Sequence, residues 1–299
     1  MDALLEILSP HFLLRNSFYV GVLLGFACPL VGTFMVLRRL VLLGLALPQI
    51  SSTGMAVLLS LPVWLNVPIN RGASNTSLAE HILAFAGATV FSLLAILLLA
   101  WLERRGKGWS EGRLGTVYIL AGALTIQLLS VNRFGDAASL DLLKGEISSV
   151  SNFDLGSTAV TLAVVLLVLS VFHKELLLVS FDRALAVTLG MKVNFWDTVL
   201  YLLIGLTISV AVLSVGPLIA FGFIFLPVLT VHLFSQSTRQ LMIMASVIGG
   251  VTSFIGFYVA FTWDLPIGPT DVLLLGAIYF LAFIAKQLSQ MLTKMIGRR

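Results

Sequence analysis

TVLYLLIGLTISVAVLSVGPLIAFGFIFLPVLTVHLF, residues 198–234, decides how this chain is read. The stretch holds no Asp, Glu, Lys or Arg, and its one adjacent glycine–proline pair lies at Gly216–Pro217. It is too long for one membrane-crossing helix of about 20 residues, and it breaks where glycine and proline end helices. Read as a pair it gives two spans, Thr198–Leu213 and Leu218–Phe234; read as one broken element it gives one. Working outward, similar apolar windows fall at Ser17–Leu37, Leu42–Leu65, Ile82–Leu102, Leu114–Val131, Leu155–Phe172, Leu241–Phe261 and Val272–Ala285. The sequence therefore predicts an all-α integral membrane protein with eight to nine transmembrane helices.

Composition agrees. Of 299 residues, 59% are hydrophobic and 11% charged, and the mean hydropathy is +1.05. Soluble domains run near 45–50% apolar and about 25% charged. A soluble enzyme, a nucleic-acid reader and a disordered regulator are excluded. No linker of domain-separating length occurs, so residues 1–299 are expected to form one transmembrane domain. Cys28 is the lone cysteine and reads as a small buried hydrophobe. Met1–Asn16 lacks the basic start and small-residue cleavage site of a removed signal peptide.

Charge sets the orientation. The segments 38–41, 103–113, 173–197 and 235–240 and the tail after 285 hold 14 of the 18 Lys and Arg residues. The opposite loops keep only Arg15, Arg71, Arg133 and Lys144, with nine of the 14 acids. Lys and Arg concentrate on the cytoplasmic side of membrane proteins, so that side and the C-terminus are expected in the cytoplasm. With nine spans the N-terminus lies outside. Basic residues at the inner ends suit anionic lipid headgroups.

Within the spans ionisable groups are nearly absent, and His11, His81, His173 and His232 fall at predicted helix ends or in loops. A proton-coupled carrier needs an Asp, Glu or His relay at membrane depth, so energy is expected from elsewhere. The polar exception is Leu45–Gly54, where Gln49, Ser52 and Thr53 lie at i, i+3 and i+4 and so share a helix face. Pro48 is expected to kink the helix and free carbonyls near that face. The face suits either the lining of a translocation path or hydrogen bonding between helices. No phosphate-binding G-x-x-x-x-G-K-[S/T] loop occurs, so ATP hydrolysis is not expected from this chain, and no catalytic constellation suggests an enzyme. The external acids Asp136, Asp141, Glu146, Asp154, Asp264 and Asp271 suit cation attraction, docking of a delivery protein, or simple loop solvation.

Phe181-Asp182-Arg183-Ala184-Leu185-Ala186-Val187-Thr188-Leu189-Gly190-Met191 reads as a short cytoplasmic helix between two spans, ending at Gly190. It resembles the coupling segment of the permease subunits of bacterial zinc and manganese ABC importers, whose pattern D-x-x-x-A-x-x-x-G-V is matched at Asp182, Ala186 and Gly190. Further matches keep the family's order: Gly32–Arg39, Lys144-Gly145-Glu146, Val215–Ile219, Leu226–Thr230 and Asp264–Thr270. The likeness covers about residues 17–285.

The resemblance implies a vitamin B12/metal importer-type permease fold in a bacterial inner membrane. It implies a second permease subunit, as homodimer or heterodimer, and ATPase subunits that consume the ATP and dock on Phe181, Asp182, Arg183, Ala186 and Gly190. It also implies an external solute-binding lipoprotein that delivers Zn²⁺ or Mn²⁺. The chain itself is expected to bind no cofactor. In the family an Asp and a His of the second span are thought to hold the ion; here those positions are Leu45 and Gln49. Either a partner permease supplies the ligands, or the ion passes with less coordination, or the cargo differs. The rival readings are a permease for metal chelates, siderophores or a cobalamin-like solute, and a multi-span carrier without an ATPase.

Overall fold

The computed structural model describes residue 12 and residues 14–64, 74–104, 111–131 and 150–296. Its helices, in chain order, are α1 (Arg15–Leu37), α2 (Val41–Trp64), α3 (Ser74–Arg104), α4 (Glu111–Val131), α5 (Asn152–Val171), α6 (His173–Phe181), α7 (Arg183–Thr188), α8 (Val193–His232), α9 (Thr238–Thr262) and α10 (Ile267–Ile296). Eight of these are long and apolar enough to cross a membrane.

α8 is the longest, at 40 residues, and a straight helix of that length would run about 60 Å, twice a hydrocarbon core. It does not run straight. Gly216 has φ 78° and ψ 167°, a conformation open essentially to glycine alone. Pro217 disfavours helix at the residue before it and opens the following helix without wasting a donor. The contacts of both limbs give the direction. Asp197, near the start of α8, pairs with Arg38 at the end of α1 (2.8 Å). Val228 and Val231, near its finish, lie in a cluster against which Val36 of α1 packs. Both ends of α8 therefore reach the same end of the bundle, and α8 is two antiparallel limbs, 193–215 and 217–232. Counted by crossings, the eight apolar helices make nine passes, as the split of residues 198–234 at Gly216 anticipates.

The remaining connections follow the same logic. Away from Arg38, Asn16 at the start of α1 donates to the Val150 carbonyl (3.3 Å) just before α5 and to Asn152 Oδ1 (2.8 Å) at its first residue. His81 of α3 meets Asp154 of α5 (3.2 Å) there, and Phe12 packs edge-on against Phe261 at the end of α9. α1 is the hub between α8 and α9. Gly25 and Gly249 meet so closely that a Cβ on Gly25 would stand 2.7 Å from the Gly249 carbonyl oxygen. Such small-residue contacts replace the hydrophobic drive that lipid removes from helix association. Cys28 lies fully buried nearby and free, as its apolar setting predicts.

Three helices end with one residue in the left-handed region and a backbone N–H reaching back five residues. These are Arg39 (φ 57°), with Leu40 donating to Met35 (2.8 Å); Gly190 (φ 74°), with Met191 donating to Ala186 (3.1 Å); and Asp264 (φ 50°), with Leu265 donating to Ala260 (2.9 Å). Asp264, expected as an external acid, is thus the exposed cap of α9. Helix α2 continues without a break through Pro48.

Candidate functional site

Gln49 and Leu45 stand one turn apart on α2, both half-buried. With Tyr118 and Ile126 of α4 and Pro217, Leu218 and Phe221 of the second α8 limb they line a cavity of about 230 Å³. The cavity sits just past the Gly216 reversal. Its wall is open where Leu218, Ile126 and Tyr118 are 62%, 58% and 39% exposed.

Ser52 and Thr53 face α4 as well but do not line the cavity. Thr53 Oγ1 lies 2.8 Å from the Gln49 carbonyl, 2.9 Å from the Ala121 carbonyl and 2.8 Å from Thr125 Oγ1. Ser52 Oγ donates to the Gln49 carbonyl (2.9 Å) and approaches Thr125 at 3.5 Å. Both are buried and spent on holding α2 against α4. The face predicted from spacing is real, but it splits: Gln49 looks into the cavity, and the two hydroxyls fasten its wall. Gly122 of α4 leaves room for Gln49, whose Nε2 lies 3.1 Å from where a Cβ would stand.

Among the described residues no cluster of three or more His, Cys, Asp or Glu could hold a metal ion. The two positions at which the resemblance expects Asp and His, Leu45 and Gln49, do face one cavity together, and only the Gln49 amide is polar. Of the external acids, Asp154 is buried, forms a capping box with Ser151 (3.1 and 3.2 Å) and pairs with His81. Asp271 is 1% exposed in the first turns of α10, against Gly256, with neither carboxylate oxygen hydrogen-bonded. Asp136, Asp141 and the stretch Lys144-Gly145-Glu146 lie outside the described residues.

The segment 181–191, expected as the coupling helix, sits at the Arg38 end. It is shorter than the reading of 181–191 suggests, because Phe181 closes α6 and α7 proper is Arg183–Thr188. Each residue of its motif has a structural task. Asp182 caps α7, its carboxylate accepting from the Leu185 N–H (2.9 Å). Ala186 is the buried residue of α7 and packs with Val179 and Val193. Gly190 takes the left-handed turn (φ 74°), which glycine adopts without steric cost. Around this anchor Phe181, Val187 and Leu189 are each at least 60% exposed. Exposed apolar groups clustered in this way at the tip of a bundle suit a docking surface.

Sequence reasoning does not single out Asp197, because it falls in the connection 173–197 and not in an apolar window. It is 5% exposed and lies between Arg38 (2.8 Å) and Arg183 (3.2 Å). Its signal in sequence was a lone acid opening a span among several Arg and Lys residues.

A bundle of this topology, with eight membrane-length helices and a small cavity between spans, is that of a polytopic membrane protein of the transport class. Residues 11–286 match the profile of the ABC 3 transport family, and the chain belongs to that family. It is 30% identical over 276 residues to the manganese import system permease protein ScaB of Streptococcus gordonii, covering 91% of each chain. Its structure matches that of PsaBC from Streptococcus pneumoniae in complex with Fab, with TM-score 0.77, 26% identity and 94% of both chains covered. An inward-facing metal-chelate type ABC transporter shares the fold at TM-score 0.66 and 15% identity, over 91% of this chain and 85% of that one. This is a transport family and not an enzyme family.

Proposed function

We propose that this chain is the permease subunit of an ATP-driven importer of Mn²⁺ in a bacterial inner membrane. The observation that carries the reading is the α7 segment, whose capped, anchored backbone presents an apolar face where an ATPase would push. The manganese import permease relative supports the ion. So does the cavity: the Gln49 amide and the Tyr118 hydroxyl are neutral oxygen donors, which suit Mn²⁺ better than Zn²⁺, the ion of His and Cys ligands. With no carboxylate at Leu45 or Gln49 to offset dehydration, the ion keeps most of its water.

In this reading the Arg38 end, which also receives the C-terminus through α10, is cytoplasmic, and ATP binds only to the partner ATPase. A second permease closes the open wall at Leu218, Ile126 and Tyr118, and an external lipoprotein delivers and selects the ion. Alternating access moves the second α8 limb and α2 at the cavity. Two measurements test this. Cells lacking the chain should lose most of their Mn²⁺ accumulation and regain it on complementation, and the tagged permease should bring an ATPase with it on purification. Unchanged accumulation of Mn²⁺ in the deleted strain overturns the ion assignment, and a permease that purifies without an ATPase overturns the importer.

A further inference from the structure

We propose that Asp197 is the positioning residue through which α7 moves α1, gripping Arg183 with one carboxylate oxygen and Arg38 with the other. The proposal rests on the reading of α7 as the coupling helix and adds the route by which its displacement reaches the cavity.

The geometry is specific. Asp197 Oδ1 lies 2.8 Å from Arg38 Nη1, and Oδ2 lies 3.2 Å from Arg183 Nη2. Arg38 cannot turn away to solvent. Its Nε donates to Ser180 Oγ of α6 (3.0 Å), its guanidinium lies 5.7 Å from the centre of the Tyr201 ring, and its Nη2 is buried without a hydrogen-bond partner. Arg183, half exposed on α7, also reaches Asn194 Oδ1 at 3.4 Å. One buried carboxylate therefore joins three elements: the short helix outside the bundle, the start of α8 and the residue that closes α1.

The placement suits transmission. Apart from this tether, α7 is fixed to the bundle through Ala186, its one buried residue. Beyond Arg38, α1 has no slack: a Cβ at Gly32 would run into the Ile224 backbone on the second α8 limb. Met35 and Phe225 close on Gly44 of α2. Phe221 on that limb and Leu45 on α2 line the cavity. A push on Arg183 thus has an unbroken chain of packed contacts to the cavity wall, which is the physical requirement for coupling through a rigid element. A charge pair shared by two arginines is also directional and strong, because removing one partner strands a buried charge.

The test uses the complete transporter, with ATPase and binding lipoprotein, in proteoliposomes, reading Mn²⁺ imported per ATP hydrolysed. Arg183→Ala is expected to lower that ratio about tenfold, within the usual range of coupling between sites, with Arg38 still pairing Asp197 so that the chain folds. Arg183→Lys, which returns the charge to Asp197, should recover most of the loss. Asp197→Asn should uncouple as strongly, and adding Arg183→Ala to it should cost little more, because both break one link. A ratio within twofold of wild type for Arg183→Ala overturns the relay, even if Asp197→Asn fails to fold. So does additivity of the two losses, which would place Arg183 in ATPase docking instead. Failure of the wild-type transporter to import Mn²⁺ with ATP is a different result, and it overturns the functional reading itself.

Discussion

Replacing Gly216 with alanine is the sharpest test of the fold, because the same chemical change elsewhere should act in the opposite direction. Gly216 sits at φ 78° and ψ 167°, where a Cβ costs about 1–3 kcal/mol. Gly276, in the middle of α10, is helical and has nothing within 4 Å of an added Cβ, so Gly276→Ala should gain about 0.5–1 kcal/mol by reducing the freedom of the unfolded chain. The two variants should differ by roughly 2 kcal/mol or more, about thirtyfold in the unfolding equilibrium. Purified protein titrated with SDS in mixed micelles, followed by tryptophan fluorescence and circular dichroism, measures both. Gly216→Ala unfolding within about 0.5 kcal/mol of Gly276→Ala would refute the sharp reversal, and with it the two-limbed α8 and the nine passes.

Three further outcomes follow from named contacts. Gly249→Leu should abolish folded yield, judged by gel filtration, because even a Cβ there overlaps the Gly25 carbonyl; milder Gly249→Ala should cost about 1–3 kcal/mol in the same SDS titration. Thr53→Val removes a hydroxyl with three partners, yet hydrogen bonds between membrane helices average near 0.6 kcal/mol, so it should destabilise by about that amount and no more than about 2 kcal/mol. Gln49→Leu, which makes the cavity wall wholly apolar at α2, should lower Mn²⁺ uptake about fivefold, the equivalent of one hydrogen bond near 1 kcal/mol, with little change in stability.

The spans were legible because a bilayer imposes length and apolarity on every helix that crosses it. Their ends were not. α8 begins at Val193, five residues before the apolar stretch, because Asn194 and Asp197 are polar yet belong to its first turns, where Asp197 meets two arginines. α10 likewise runs from Ile267 to Ile296, beyond the window Val272–Ala285, and takes Asp271 into its buried first turns. The Gly216–Pro217 break was readable because glycine and proline act on the local backbone. The division of labour between Gln49 and its neighbours Ser52 and Thr53 was not, since spacing gives a shared face and only the position of α4 decides which part of it is covered. The motif Asp182, Ala186, Gly190 was visible as a pattern; its meaning as cap, anchor and left-handed turn needed the folded segment.

The central claim is that this chain conducts Mn²⁺ under the control of ATP hydrolysed by another subunit. Proteoliposomes containing the permease, its ATPase and the binding lipoprotein measure it directly, with radioactive Mn²⁺ outside the lipoprotein-facing surface and ATP on the α7 side. Accumulation should require hydrolysable ATP and should cease when a non-hydrolysable analogue replaces it. Equal Mn²⁺ entry with ATP and with the analogue would contradict the account.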